Sequence, residues 1–398
     1  RDLDSSLVGS EMCIRDRITP PRTAIFAATI RRMASNSDTL VIVGISGGVD
    51  SAVTATLLLE QGYRVQGLHM TNWDEADEYC SAAEDFQVAR QVCGDLGIPL
   101  HHVNFSAEYQ EKVFADFLDE ISRGFTPNPD VACNRYIKFG DFLNYAERLG
   151  ADKIATGHYA RVRQTDAGEF ELLKGIDPGK DQSYFLHAIH REALRRVLFP
   201  LGELTKADVR RIANDAGLPN HARRDSTGIC FIGERPFRDF LKRYVSGAAG
   251  KMETPDGVVM GEHYGLMYYT LGQRQGLAIG GHRDFGPEPW YVAAKDMQRN
   301  VLIVVQNREH PLLWSDRMAT DSIRWLVPTR NDTQFSCTVK TRYRQTDVRC
   351  ELSVAADGTA EVLFDEPVWA VTPGQYAVFY ADDLCLGGAR IAAAYSAA

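Results

Sequence analysis

The 398-residue chain lacks several common signatures of function. Its eight cysteines include no Cys-x-x-Cys pair and no zinc or iron–sulfur ligand spacing. No apolar run reaches the length of a membrane span. With 44 Lys and Arg against 53 Asp and Glu, the formal charge is -9, which excludes a uniformly basic nucleic-acid coat. These absences predict a soluble, cytoplasmic protein of two or three domains, without a metal site.

Residues 40–62 are the most informative stretch of the chain. They contain neither of two common phosphate-binding signatures, Walker A and Gly-x-Gly-x-x-Gly. The apolar beginning of the stretch, Leu40–Ile45, predicts a strand buried on both faces of a parallel sheet. Two glycines follow, and Asp50 and Ser51 stand where a helix begins. Backbone N–H groups and the helix dipole would then face an anion together.

This stretch resembles the Ser-Gly-Gly-x-Asp-Ser pyrophosphate loop of the ATP pyrophosphatases. The resemblance implies that the loop binds ATP phosphates. The alternative is a tight strand-to-helix turn without a ligand. Six matching residues between a buried strand and a helix start favour the ATP loop.

The order of the remaining elements predicts the fold class. Strands alternate with helices up to about residue 216, which is typical of a doubly wound parallel sheet. The last of these helices is predicted over Thr205–Ala216, with Thr205 as its N-cap. From Gly250 onward short alternating apolar runs, Leu266–Thr270 among them, predict β structure that ends in a small barrel. Residues 1–37 are expected to be a disordered or non-native extension, because the first convincing strand begins at Leu40 and Met33 is a natural start.

One candidate reactive cysteine is Cys133, in the stretch 126–134. Pro127 and Pro129 predict a rigid, non-helical turn ahead of a helix. Asp130 lies three residues before Cys133, and a helix N-terminus would lower the pKa of the thiol. The alternative is a buried cysteine in an Asx turn.

A second candidate is Cys230, which follows Arg223 and Arg224 in the stretch 223–232. The two arginines could stabilise a thiolate and contact phosphate. They belong to a locally basic segment, residues 191–243, with 12 Lys and Arg against 7 Asp and Glu, a net of +5. The alternatives are a cysteine buried in a short strand and chance clustering of charge.

Further polar clusters stand out along the chain, and one of them is a candidate for contact with nucleic acid. His158 follows a predicted strand, and Lys180, Asp181 and Gln182 follow a Pro-Gly turn. Tyr343 lies between two arginines, a pattern suited to stacking and phosphate contact. The alternative for residues 180–184 is a solvated turn, and the alternative for residues 342–345 is an exposed strand edge.

Taken together, the motifs identify the chain from about Leu40 onward as resembling the bacterial tRNA-specific 2-thiouridylases. They occur in the family's order along nearly the whole chain. They are Gly44–Ser51, Met70–Trp73, Pro127–Asn134, Thr156–Arg161, Lys180–Leu186, Ser226–Ile232, Tyr269–Arg274 and Arg342–Arg344.

The resemblance implies an ATP-pyrophosphatase catalytic domain over 38–235, a central β-rich domain over 236–305 and a C-terminal β-barrel over 306–398. It also implies ATP-dependent 2-thiolation of the wobble uridine of tRNA, with Mg²⁺ bridging the phosphates. The residues that correspond to the family's nucleotide contacts are Gly44, Ile45, Ser46, Gly47, Gly48, Val49, Asp50, Ser51, Met70 and Gly157.

The resemblance further implies that Cys230 receives sulfur as a persulfide from a sulfur-relay protein and that Cys133 is its partner nucleophile. Asp130 would serve as an acid or base, and the enzyme would act as a monomer. The positions that correspond to tRNA contacts are Asn128, Pro129, Asp130, His158, Lys180, Asp181, Gln182, Arg342, Tyr343 and Gln375.

Two alternatives belong to other classes. Another ATP pyrophosphatase, such as an amide-forming synthetase or a different tRNA thiolase, would share the loop but would not explain Cys133 and Cys230. A non-catalytic tRNA-binding protein would be expected to have lost Asp130 or one of the cysteines, and all three are present.

Overall fold

The computed structural model describes residues 36–73, 82–224, 237–280, 285–328 and 333–396. Most of the expected N-terminal extension lies outside these ranges. So does the predicted persulfide site, Cys230, with its neighbours from Asp225 to Pro236.

The first half of the chain forms a five-stranded parallel sheet, which confirms the predicted fold class. The strands are β1 (Leu40–Gly44), β2 (Arg64–Thr71), β3 (Leu100–Asn104), β4 (Lys153–Ala155) and β7 (Val197–Leu198). Their order is β3-β2-β1-β4-β7, with parallel pairing throughout. Strands β2 and β3 are added on one side of β1, and β4 and β7 on the other. The strand order therefore switches between β1 and β4, and ligands bind at such switch points in sheets of this kind.

Helices cover the sheet and connect its strands. They are α1 (Val49–Glu60), α2 (Ala82–Leu96), α3 (106–122), α4 (129–148), α5 (Ser183–Leu186), α6 (Lys206–Asp215) and α7 (Phe237–Leu241), with a 3₁₀ segment at Arg191–Arg196. Helix α3 contains a π-helical segment at Gln110–Phe114, and α4 contains one at Cys133–Asp141.

The predicted cap of α6 is confirmed. The Thr205 hydroxyl accepts from the backbone N–H of Asp208, and the Asp208 carboxylate reaches back to the N–H of Thr205. This reciprocal capping satisfies two N–H groups at the helix start and fixes its position.

The central part of the chain forms a four-stranded sheet of β8 (Gly250–Glu253), β9 (Val259–His263), β10 (Trp290–Asp296) and β11 (Val301–Gln306). The predicted strand Leu266–Thr270 is wrong, because Leu266–Tyr268 is a 3₁₀ turn. Its apolar side chains still face inward, since Leu266 and Tyr269 join the core of this sheet. Periodicity therefore identified burial there but not the backbone conformation.

The C-terminal part closes into the predicted barrel, because β12 pairs with both β16 and β18. Around the barrel the order is β12-β16-β15-β14-β17-β18. The strands are β12 (Trp314–Thr320), β13 (Arg324–Trp325), β14 (Gln334–Lys340), β15 (Val348–Val354), β16 (Ala360–Trp369), β17 (Tyr376–Ala381) and β18 (Leu384–Tyr395), with a 3₁₀ turn at Pro311–Leu313.

A hairpin from the first half of the chain extends the barrel sheet. Its strands, β5 (Ala160–Gln164) and β6 (Phe170–Lys174), pair with each other, and Leu173 of β6 pairs with Leu384 of β18. Arg161 and Asp383 add an ion pair at 2.7 Å. The sheet therefore joins residues on both sides of the predicted domain boundaries.

In the described ranges, no helix combines the length and apolar character needed to cross a lipid bilayer.

Candidate functional site

The loop between β1 and α1 has the conformation of an anion site. Gly47 adopts a φ of +81°, and a Cβ there would lie 2.7 Å from the backbone oxygen of Asp85. The carbonyl of Gly47 accepts from Asn220 at 2.9 Å and from Arg223 at 3.3 Å. The C=O of Gly47 and the N–H of Gly48 share one trans peptide plane and point in opposite directions. Holding the carbonyl therefore aims the N–H away from the Asn220 side.

Two serines brace the same loop. Ser51 Oγ donates to the carbonyl of Gly48 at 3.0 Å and accepts from the N–H of Ser46 at 3.2 Å. These bonds tie the strand end to the first turn of α1. The loop is thus shaped before any ligand arrives, which lowers the entropy cost of binding.

Asp50 joins this loop to two other elements. Its Oδ1 accepts from Lys206 Nζ at 2.7 Å and from the Tyr159 hydroxyl at 2.9 Å. Lys206 is the first residue of α6, and Tyr159 follows β4. The site therefore combines an anionic side chain, a cation and a helix N-terminus at the carboxyl end of the sheet.

Gly157 lies against the loop because it has no side chain. A Cβ there would lie 2.9 Å from the carbonyl carbon of Asp50. Met70, on β2, is half-buried and pairs with Val103 of β3. The neighbouring His69 bonds the carbonyl of Ile45 at 2.8 Å, and burial lowers its pKa. Neutral His69 thus supports the loop from β2.

An ionic contact closes the other side of the loop. Arg223 pairs with Asp85 of α2 at 2.5 Å while it also contacts Gly47. Arg224, in contrast, is exposed. The two adjacent arginines, predicted together as a phosphate-contacting pair, therefore occupy different environments.

The stretch that carries Asp130 and Cys133 differs from its predicted form. Helix α4 begins at Pro129, with Asn128 as the N-cap whose Oδ1 accepts from the N–H of Asp130 at 3.2 Å. Proline fits the first helical position because its missing N–H would have no helical partner there. The prediction of a non-helical turn around Cys133 is thus wrong, because the prolines precede and start the helix.

Cys133 lies one turn into α4, where the π-helical segment begins. Its side chain is only 1% exposed and packs in the main core with Ile137 and Phe139. An incoming sulfur reagent can reach this thiol only if neighbouring groups move.

Asp130 and His158 share the electrostatic field of Lys138. Burial raises the pKa of Asp130, and the charge of Lys138 offsets part of that rise. Burial and the same lysine hold the pKa of His158 well below its ordinary value. His158 lies between Phe139 and Phe199 and bonds Thr156 Oγ1 at 2.7 Å. A neutral His158 can offer a hydrogen bond to RNA but cannot neutralise a phosphate.

The barrel packs against the backbone that directly precedes the start of α4. Gln375 Nε2 donates to the carbonyl of Thr126 at 2.7 Å, and the N–H of Thr126 donates to Pro373 at 3.0 Å. Gly374, with a φ of +93°, leaves no space for a side chain against Phe125 and Thr126. The barrel therefore fixes the backbone that leads into Asn128.

The cluster Lys180, Asp181 and Gln182 differs from a solvated turn. Asp181 is 4% exposed, and its carboxylate accepts from Gly175, Ser183 and Lys340. Gln182 Oε1 accepts from the N–H of Tyr159 at 3.0 Å. Lys180 is half-buried, and its carbonyl accepts from Tyr343 at 3.4 Å. The side chains of Asp181 and Gln182 hold the turn to the barrel and to β5, so only a rearrangement would free them for RNA.

Arg342 and Tyr343 are likewise engaged inside the protein. Arg342 Nη2 donates at 2.8 Å to the carbonyls of Leu271 and Ala370 and to the Thr372 hydroxyl. The Tyr343 ring packs on Phe185 with centroids 4.4 Å apart. Arg344 is exposed on the same connection between β14 and β15. The motif thus connects the barrel to the central sheet and presents one exposed arginine.

Comparison with known proteins decides the family. A curated tRNA-specific 2-thiouridylase MnmA from Methylococcus capsulatus is 56% identical over 362 residues, covering 90% of this chain and 97% of the relative. One from Chromohalobacter salexigens is 58% identical over 353 residues, covering 88% and 92%. The chain belongs to the tRNA-specific 2-thiouridylase (MnmA) family. The 2-thiouridylases are sulfurtransferases that modify tRNA, and the predicted family and enzyme class are confirmed.

Three family profiles together cover most of the chain. They are described as a tRNA methyl transferase HUP domain over 39–234, a tRNA methyl transferase PRC-barrel domain over 238–306 and an aminomethyltransferase beta-barrel domain over 315–391. Among solved structures, an NMN synthetase from Francisella tularensis aligns with a TM-score of 0.33 and 17% identity, covering 55% of this chain and 79% of that one.

Two residues of the candidate site escaped the sequence prediction. Lys206 and Asn220 contact Asp50 and Gly47, but neither lies in a motif that follows a predicted strand. Strand β7 leads towards α6 but has only two residues, which is too short for its apolar pattern to be recognised in the sequence. The predicted cap at Thr205 was the available clue, since it places Lys206 at a helix N-terminus.

Proposed function

We propose that this protein converts the wobble uridine of tRNA to 2-thiouridine, with ATP as the activating substrate. One observation carries the proposal: helix α4, whose first turn contains Asp130, packs on the strand that leads into the phosphate loop and on the residue after Gly157. A Cβ at Gly44 would lie 3.5 Å from the ring of Phe142, and the rings of Phe139 and His158 lie 5.8 Å apart. Gly157 in turn packs on Asp50 of the loop. A nucleotide on the loop and a flipped base near Asp130 would therefore be close together.

The first step is adenylation of the base. Uridine O2 attacks the α-phosphorus of ATP, a P–O bond forms, and the bond to the β-phosphate breaks to release pyrophosphate. The N–H groups in the first turn of α1 would hold the phosphates, and Lys206 and Arg223 would offset part of their charge. The product carries AMP on C2, a far better leaving group than a carbonyl oxygen.

The resemblance also implies Mg²⁺, and the Asp50 carboxylate suits it. Mg²⁺ is usually held by one or two carboxylates together with substrate phosphates, rather than by an all-protein cage. When bound, it would screen the phosphate charges.

The second step transfers sulfur. A sulfur-relay protein would load Cys230 as a persulfide, and its terminal sulfur would replace AMP at C2. The Cys133 thiolate would attack Cys230 Sγ, either releasing sulfide that thiolates the base or freeing the thiolated base directly. Both routes leave a Cys133–Cys230 disulfide, which an external thiol must reduce.

The remaining assignments complete the proposal. The tRNA would contact Asn128, Pro129, His158 and Lys180. It would also contact the connection between β14 and β15, where Arg342 and Tyr343 hold the backbone and Arg344 is exposed. The enzyme would act as a monomer in the reducing cytoplasm. The predicted catalytic domain, 38–235, would carry out the chemistry. The predicted central domain, 236–305, would act as a spacer, and the predicted barrel, 306–398, would bind tRNA.

Mass spectrometry of tRNA nucleosides tests the proposal. After incubation with ATP, Mg²⁺, a persulfide donor and unmodified tRNA, we expect 2-thiouridine at the wobble position together with AMP and pyrophosphate. Thiolation that proceeds without ATP, or at another uridine position, would contradict it.

The different environments of Arg223 and Arg224 give one prediction. Arg223→Ala should weaken ATP binding about tenfold, because it removes a cation and a charge-assisted bond beside the loop. Arg224→Ala should leave ATP affinity unchanged but flatten the salt dependence of tRNA binding. Titration calorimetry and binding at several salt concentrations measure the two effects. Equal loss of ATP affinity in both variants would refute the distinction.

Asp130 gives a prediction about pH. Asp130 would accept the proton that uridine loses from N3 when O2 attacks, and for this it must be ionised. Burial raises the pKa of Asp130. The adenylation rate should therefore fall as pH drops through a value above the ordinary carboxyl range, and Asp130→Asn should lose this acidic limb.

A stability measurement separates this role from a structural one. A raised carboxyl pKa means that the ionised group is disfavoured in the folded state, and that cost appears as pH rises. Asp130→Asn should therefore not lower the melting temperature at neutral pH. A rate that increases on acidification would assign Asp130 as an acid instead.

A further inference from the structure

Two cysteines outside the proposed active site face each other in the barrel wall. Cys337 of β14 and Cys350 of β15 are paired directly across the antiparallel ladder. Their Sγ atoms lie 3.6 Å apart, within reach of an S–H···S hydrogen bond. Residues opposed in such a ladder have Cα atoms about 4.5 to 5.5 Å apart, inside the range that disulfides span. A bond between them needs only a small movement of the side chains.

The register that places them together is fixed on both sides. Strand β14 pairs with β17, and β15 pairs with β16, so neither cysteine lies on a strand at a sheet edge. Both pack against one core cluster, beside Phe335 and Leu352. The pair therefore stays opposed in the folded protein and does not depend on chance encounters of a loop.

The two thiols differ in access. Cys337 is partly exposed, whereas Cys350 is 1% exposed. Two effects raise the pKa of Cys350: the larger is its hydrogen bond with Cys337, and the smaller is burial. A reagent from solvent would therefore meet Cys337 first, and Cys350 would act second, at short range.

We propose that Cys337 and Cys350 are a redox site, which a low-molecular-weight disulfide such as oxidised glutathione converts into a reversible cross-strand disulfide. The Cys337 thiolate attacks one sulfur of the oxidant, and one thiolate leaves. Cys350 then gives up its proton and attacks Cys337 Sγ, and the second thiolate leaves. Two protein thiols are oxidised while one disulfide is reduced to two thiols.

The cross-link would act on one particular connection. Residues 341–347 join β14 to β15 and carry Arg342, Tyr343 and Arg344. Oxidation would close a ring that contains this whole connection and limit the opening of the two strands at its base. The pair includes neither Cys133 nor Cys230, so its test does not depend on the proposed thiolation.

Peptide mapping of the full chain tests the proposal. The reduced protein is incubated with oxidised glutathione, free thiols are alkylated, and the digest is analysed without reduction. Trypsin leaves Cys337 in peptide 331–340 and Cys350 in peptide 350–390. We expect most molecules to carry these peptides linked and two hydrogens lighter, with dithiothreitol reversing the link and hydrogen exchange of residues 341–347 slowed.

Peptide 350–390 also contains Cys385, so fragment ions and two variants assign the bond. Cys385→Ser should retain the link, and Cys350→Ser should lose it. If a variant fails to fold, the peptide map of the unmutated chain still shows whether Cys337 and Cys350 are linked. Cys337 found only as a glutathione adduct, a link that joins two chains, or a link that survives Cys350→Ser would overturn the proposal.

Discussion

Replacement of Asp50 by Ala or Asn is expected to reduce pyrophosphate release with substrate tRNA by about 10²- to 10³-fold, the effect of removing one key electrostatic group from an active site. Asp50 belongs to the phosphate loop and receives bonds from Lys206 and Tyr159. Its loss would remove a carboxylate suited to Mg²⁺ and would remove the salt bridge that Asp50 forms with the half-buried Lys206. Both the metal and the cation would then be misplaced relative to the phosphates.

Matched variants separate chemistry from stability. Asp95→Asn changes an exposed carboxylate at the end of α2 and should release pyrophosphate at the normal rate. Asp50→Asn keeps the side-chain size, so tRNA affinity should change little while release fails. A release rate within a few-fold of the unmutated enzyme would show that Asp50 does not serve adenylation.

Complete loss of 2-thiouridine is expected for both Cys133→Ser and Cys230→Ser, but for different reasons. Cys230→Ser should not accept a persulfide at all. Cys133→Ser should accept one on Cys230 and then fail to pass sulfur to tRNA, because serine cannot form the disulfide. Thiol-specific mass spectrometry of each variant after incubation with the donor distinguishes the two blocks.

Burial of Cys133 sharpens this expectation. Since its thiol is 1% exposed, its reaction with the persulfide should require tRNA, whose binding would have to move groups around the start of α4. Cys337→Ser is the matched control and should thiolate tRNA normally under reducing conditions. Normal thiolation by Cys133→Ser, or persulfide loading without Cys230, would overturn the assignment.

Local signals in the sequence were enough to predict the strand, the glycine turn and the helix start that form the candidate phosphate loop. The strand at Leu40, the glycine turn and the start of α1 follow one another within a dozen residues, and the cap at Thr205 is equally local. Such elements are specified by neighbouring residues, so composition and order reveal them.

Burial of polar groups could not be predicted in the same way. Asp181 looked like part of a solvated turn, but Lys340 approaches it from 159 positions away. Arg342 looked like an RNA contact, but its partners come from two distant segments. A buried polar side chain is identified by its partners, and those partners are brought together only by the tertiary fold.

The hairpin of β5 and β6 has a consequence for the order of synthesis. Arg161 leaves the ribosome 222 residues before its ion-pair partner Asp383, and β6 has no barrel strand to join until β18 has been made. During that interval the hairpin edge is open to pairing with other chains, a hazard that grows with the delay. Chains that terminate early within the barrel should therefore aggregate through this edge, and a peptide copying β18 should suppress that aggregation.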